Sequence, residues 1–122
     1  MRMRKKKNLD SRLDNCKHLL IDTDFEQRDY NKAVEDKQLI DYQQLFGNNN
    51  PVHMEIGCGK GQFVFEKAKL NPHINYIAVE KTKNVIVQAM EKVHNENLTN
   101  VRFMAMGAEY LPKFIPENSI EL

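Results

Sequence analysis

Three glycines at alternate positions constrain this chain most: Gly57, Gly59 and Gly61, in Glu55-Ile56-Gly57-Cys58-Gly59-Lys60-Gly61. An alternating apolar run, Val52, Met54 and Ile56, leads into them, and a helical pattern begins just after them at Gln62. A strand that enters a glycine turn and leaves it as a helix is the opening unit of an open α/β sheet, whose ligands bind beyond the carboxyl ends of the strands. Glycine suits the turn because a Cβ there would take up the ligand's volume or forbid the dihedrals.

The alternation of strand and helix then continues. A helix is expected over 62–70, carrying Phe63, Val64 and Ala68 and closed by Asn71 and Pro72. Residues 76–79 form a near-continuous apolar run of the kind a strand covered on both faces requires. A second helix over 83–95 places Val85, Ile86, Ala89, Met90 and Val93 on one face. A third strand is expected over 101–106, then a loop or short turn at Tyr110 and Leu111 ended by Pro112, and the start of a fourth strand at Ser119, Ile120 and Leu122.

This order predicts an α/β, doubly wound parallel sheet with right-handed crossovers and its first three strands in the order 3-2-1. The expected fold is Rossmann-like and truncated after about three strands, with the fourth beginning. Upstream, Leu39, Ile40, Leu45 and Phe46 suggest a helical face that Gly47 and the asparagines after it bring to an end. The division expected is a basic arm and amino-terminal extension over 1–36, with one short helix, and a ligand-binding domain over 37–122.

Two acids indicate the ligand. The spacing is Gly-x-Gly-x-Gly, and Glu55 lies two residues before the first glycine. A dinucleotide site instead places a pyrophosphate at the helix amino terminus, where backbone N–H groups favour negative charge. A carboxylate at that strand end complements a cation, and S-adenosylmethionine carries both an ammonium and a sulfonium. Glu80 ends the second strand, where a carboxylate can accept hydrogen bonds from the hydroxyls of a ribose.

Other side chains exclude more than they suggest. His53, His73 and His94 lack metal-ligand spacing, Lys60 reads as solvated, and Cys16 and Cys58 do not suggest a disulfide framework. Lys and Arg number 18 against 17 acids, so no global charge argument favours a nucleic acid or a membrane. The exception is local: Arg2, Arg4, Lys5, Lys6 and Lys7 make a basic start, either a solvated terminus or an arm that contacts phosphate. No apolar run approaches the roughly 18 residues that a membrane span needs, and a cytoplasmic location is expected.

The segments 42–48 (Tyr-Gln-Gln-Leu-Phe-Gly-Asn), 51–63 (Pro-Val-His-Met-Glu-Ile-Gly-Cys-Gly-Lys-Gly-Gln-Phe), 75–81 (Asn-Tyr-Ile-Ala-Val-Glu-Lys) and Asn100-Val101-Arg102, with the opening Met1-Arg2-Met3-Arg4, resemble bacterial tRNA (guanine-N7)-methyltransferases. The resemblance implies a class I S-adenosylmethionine-dependent methyltransferase fold and methyl transfer to N7 of a guanine in the variable loop of tRNA. It implies that Glu55, Gly57, Gly59 and Gly61 hold the methionine end and Glu80 the ribose. At the end of the third strand the family usually has an acid or amide beside the adenine. Here Gly107 and Ala108 stand there, leaving Gly107 a backbone contact at most. The residues that bind guanine and perform catalysis are expected beyond Leu122.

Two other readings belong to different classes. A non-catalytic RNA-binding or adaptor module would keep the fold, pair its open sheet edge with a partner chain and use the basic arm on phosphate. A nicotinamide-dependent oxidoreductase would need the other glycine spacing.

Overall fold

The computed structural model describes residues 8–23, 30–35 and 37–116. The basic start and the expected fourth strand lie outside the described residues. Three parallel strands, β1 (Val52–Ile56), β2 (Asn75–Val79) and β3 (Val101–Met104), form one sheet in the order β1-β2-β3. Val52 pairs with Asn75 and Ile56 with Val79, while Tyr76 pairs with Val101 and Val79 with Met104. Helix α4 (Gln62–Leu70) makes the first crossover and α5 (Lys83–Asn95) the second. This is the βαβαβ order predicted, in a Rossmann-like arrangement with β2 central and buried along its whole length.

Side chains alternate across the sheet, so each strand supplies two cores. Ala78 and Phe103 meet Val64 and Ala68 of α4 and Ile86, Ala89, Met90 and Val93 of α5. On the other face Val52, Met54, Ile77, Val79 and Met104 pack with Met106 and Phe114. Of the apolar residues that α4 carries, Val64 and Ala68 are buried, whereas Phe63 is 58% exposed, with the Lys67 ammonium 4.4 Å from its ring centroid.

Three short helices precede the sheet: α1 (Leu9–Asn15), α2 (Tyr30–Glu35) and α3 (Tyr42–Phe46). Helix α1 lies along α5, where the Arg12 Nε donates to Glu91 Oε2 at 2.9 Å. Cys16 and Leu19 enter the α5-side core, and the Ile21 N–H donates to the Phe103 carbonyl at 2.8 Å beside an isolated parallel bridge from Leu20 to Phe103. The outer edge of β3 is therefore partly covered. The outer edge of β1 pairs with no strand among the described residues.

Three boundaries differ from the sequence expectation, each for a local reason. The helix before β1 starts only at Tyr42, because the Asp41 carboxylate accepts from the Gln44 N–H at 3.2 Å and caps it there. Residues 37–40 are instead extended, with the Gln38 and Ile40 N–H groups donating to the carbonyls of Lys113 and Phe114 at 2.8 Å each. Strand β3 ends at Met104 rather than Met106, since its partner β2 ends at Val79 and the chain turns at Glu80. Pro112 lies inside a short helix, α6 (Leu111–Phe114), in its first turn, where a missing N–H costs nothing.

Buried Asn100 joins the crossovers. Its amide Nδ2 points at the carbonyls of Ala68, Asn71 and Ile74, 2.9 to 3.2 Å away, tying the end of α4 to the entrances of β2 and β3.

Candidate functional site

The carboxyl ends of the three strands open onto a cleft of about 300 Å³, lined by Ile56 and Gly57 after β1, Val79, Glu80 and Lys81 after β2, and Met106 to Glu109 after β3. Its volume is at the small end for a small-molecule site. Ile56, Val79 and Met106 make the apolar part, and the two carboxylates of Glu80 and Glu109 with the Lys81 ammonium make the charged part.

The glycine turn is locked to β2 from both sides. The N–H groups of Gly57 and Cys58 donate to the Val79 carbonyl at 2.8 and 3.0 Å, and the Gly59 N–H donates to Glu80 Oε1 at 3.3 Å. Glu80 Oε2 accepts the Thr82 N–H at 2.9 Å, just before α5 begins. Each carboxylate oxygen has spare acceptor capacity after one such bond. Glu80 therefore braces the turn and can still accept from a ligand hydroxyl.

Gly57 and Gly59 have φ of 72° and 57°, the left-handed region that other residues avoid, and a Cβ built on either meets nothing within 4 Å. The space beside the turn is thus open to a ligand that approaches the backbone. Gly61 has a different role. A Cβ on it would lie 2.3 Å from the Cβ of Ala89 and 2.8 Å from its Cα, so this glycine permits the close packing of α4 on α5.

Of the residues singled out in the sequence, the structure brings Gly57, Glu80 and Gly107 together on the cleft and bonds Gly59 to Glu80. Glu55 does not line the cleft. Strand alternation turns it to the helix side of β1, where burial raises its carboxyl above the ordinary value and the charge of Lys67 acts the other way. Cys58 is 7% exposed, and burial, then the charges of Glu55 and Glu80, push its thiol up to about 12. It is a packed thiol, not a nucleophile. No cluster of His, Cys, Asp or Glu able to hold a metal occurs among the described residues.

Sequence reasoning missed Lys81 and Glu109. Lys81 follows Glu80 directly and could have been found from that position, whereas Glu109 comes after β3 has ended, where strand and helix periodicity give no signal.

Residues 49–122, more than half of the chain, match the family model described as "Putative methyltransferase". The chain belongs to this methyltransferase family. Methyl transfer requires a methyl donor, so membership implies one. Among curated proteins, the chain is 46% identical over 80 residues to the tRNA (guanine-N(7)-)-methyltransferase of Desulfitobacterium hafniense strain Y51, covering 66% of this chain and 37% of that protein. The protein of the same description from strain DSM 10664 / DCB-2 is 45% identical over 80 residues, covering 66% and 38%. The chain thus spans well under half the length of these curated relatives. A solved chain described as "Structure of an antibiotic related Methyltransferase" is 22% identical, covers 71% of this chain and 41% of that one, and gives a TM-score of 0.46. No helix among the described residues of this methyltransferase-family chain is long and apolar enough to cross a membrane.

Proposed function

We propose that the chain binds S-adenosylmethionine in the cleft and belongs to a tRNA (guanine-N7)-methyltransferase, acting in the cytoplasm on tRNA. The observation that carries this reading is the braced turn: Glu80 holds Gly59 and Thr82 while facing a cleft whose glycine side is open. The 46% identity to a protein of that activity supports the choice of substrate.

When bound, the cofactor supplies a methyl group activated by its sulfonium. The chain's residues hold and orient it. Glu80 accepts from the ribose hydroxyls, the backbone of Gly57 and Gly59 receives the methionine end, Gly61 keeps the turn seated on α5, and Gly107 offers backbone at the β3 end. Glu55, half-buried under the turn, adds negative charge on the side of the ligand's cationic groups. Residues 37–122 form the cofactor unit, and residues 1–36 form an extension in which α1 and the turn after it pack on α5 and β3, and α2 packs on α6. The outer edge of β1, which pairs with no strand among the described residues, is where a further strand, from this polypeptide or a partner, would pair.

Guanine N7 already presents a lone pair, so no general base is needed to create the nucleophile. Alignment of N7 with the methyl group and electrostatic stabilisation of the moving charge then account for the rate. The test is incubation of the full gene product with methyl-labelled S-adenosylmethionine and a tRNA transcript. Label is expected in the transcript and is lost when guanine is replaced by 7-deazaguanine. Label that persists in the 7-deazaguanine transcript contradicts the assignment.

A further inference from the structure

We propose that a groove at the opposite end of the sheet from the cleft binds a nucleotide, with its phosphate on Arg102 and His18 and its sugar hydroxyls on Asp41 and Gln44. The groove has a volume of about 390 Å³, larger than the cleft and within the range of small-molecule sites. Segments far apart in sequence build it. The 3-10 turn Lys17–Leu19 supplies His18, the extended run 37–40 supplies Ile40, α3 and its cap supply Asp41, Gln44 and Leu45, and β3 supplies Arg102.

Arg102 is the second residue of β3, half-buried, with its Cζ 5.4 Å from the centroid of the Phe46 ring. Its Nη1 donates to the carbonyls of Thr99 and Val101 at 3.2 and 2.7 Å, which uses both N–H groups of that nitrogen. The three N–H groups on Nε and Nη2 have no acceptor among the described residues. Burial lowers the pKa of the guanidinium, and no carboxylate acts the other way. A cation taken partly out of water without a counter-ion is destabilising, and an anion seated on it offsets that cost. Nε and Nη2 form the planar fork that receives two oxygens of a phosphate. Arg12 uses the same two nitrogens on the two oxygens of Glu91.

The other lining residues suit the rest of a nucleotide. His18 adds an imidazole, its ring set edge-on to His94 with the centroids 5.2 Å apart. Asp41 Oδ1 caps α3 through the Gln44 N–H, and its second oxygen is left to accept from hydroxyls. That carboxylate repels a bare anion, whereas a nucleotide carries its charge at one end and donor hydroxyls further along. Ile40 and Leu45 give an apolar wall for the sugar or base.

The test is NMR titration of the isotope-labelled chain with uridine 5′-monophosphate, uridine and inorganic phosphate, with S-adenosylhomocysteine present throughout. Uridine 5′-monophosphate is expected to shift the signals of Arg102 Nε–H, His18 and Gln44 saturably, and to bind about 10-fold or more tightly than uridine or phosphate alone. Arg102→Gln should weaken it about 10-fold. Two milder variants, His18→Ala at an exposed position and Asp41→Asn, which keeps the α3 cap, should each weaken it about 3-fold. A tRNA transcript added last distinguishes the sources: displacement of uridine 5′-monophosphate assigns the groove to a nucleotide within RNA, and retention assigns it to a free nucleotide. Absence of saturable shifts at these residues, phosphate binding as tightly as uridine 5′-monophosphate, or affinity unchanged in folded Arg102→Gln and His18→Ala overturns the proposal. The signals followed lie away from Gly57 and Glu80, so its failure leaves the S-adenosylmethionine reading standing.

Discussion

The backbone N–H of Gly59 donates to Oε1 of Glu80 at 3.3 Å, so the acid that ends β2 holds the middle of the glycine turn that ends β1. Because Oε2 of the same carboxylate accepts the Thr82 N–H, one side chain sets the turn and the entry to α5 together. If the proposed reading holds, cofactor affinity and the local shape of the turn are coupled through Glu80.

The glycines of the turn separate by role. Gly61→Ala forces a Cβ into Ala89 at a φ of 81° and is expected to cost about 2–4 kcal/mol in urea unfolding. Adding Ala89→Gly should restore only part of this, since the Ala89 Cα remains too close. Gly59→Ala meets open space, so it should cost about 1–2 kcal/mol for its backbone angle alone while weakening S-adenosylhomocysteine binding more than that loss explains. A Gly61→Ala chain as stable as the parent would refute the packing role.

In the proposed reading, the charge of Glu55 that favours a cationic ligand works against stability. Burial raises its carboxyl above the ordinary value of 4.5, so the folded chain holds that proton more tightly than the unfolded chain does. Stability from this group is complete below pH 4.5 and falls as pH rises through the folded value. Glu55→Gln should therefore be more stable than the parent at pH 7, by less than about 1 kcal/mol given the solvent exposure of the group. The difference should close on acidification below the ordinary carboxylate range. A less stable Glu55→Gln at pH 7 would show that the ionised group is favourably paired.

Cys58 should be chemically silent. With its thiol pushed up to about 12 and 7% exposed, almost none of it is thiolate near neutrality. Iodoacetamide at pH 8 is expected to leave Cys58 unmodified in the folded chain and to modify it in urea. Equal rates in the two conditions would show that the turn opens readily.

The sheet and its crossovers were legible because α5 spaces Ile86, Ala89, Met90 and Val93 on one face and β2 is near-continuously apolar from Tyr76 to Val79. Glu80 was legible by its place after β2. Of the short helices α1 and α2 only one, without a position, was expected, because both are polar segments held by packing on α5 and α6 rather than by their own periodicity. The extended strap over 37–40 was hidden for a related reason: Leu39 and Ile40 fit a helical face, and only the Asp41 cap and the carbonyls of Lys113 and Phe114 decide otherwise. Gly61 looked like its neighbours in sequence, but its need for glycine comes from Ala89, a residue in another helix. The position of Glu109 depends on a single 3-10 turn, which leaves no periodic trace.

The most direct test of the central claim is titration of the purified chain and of Glu80→Ala with S-adenosylhomocysteine, each checked by circular dichroism for an intact fold. Saturable binding by the parent, weakened about 10- to 100-fold in Glu80→Ala, is the predicted result. Binding unchanged by the loss of the Glu80 carboxylate, or no binding by a folded parent chain, would contradict the account.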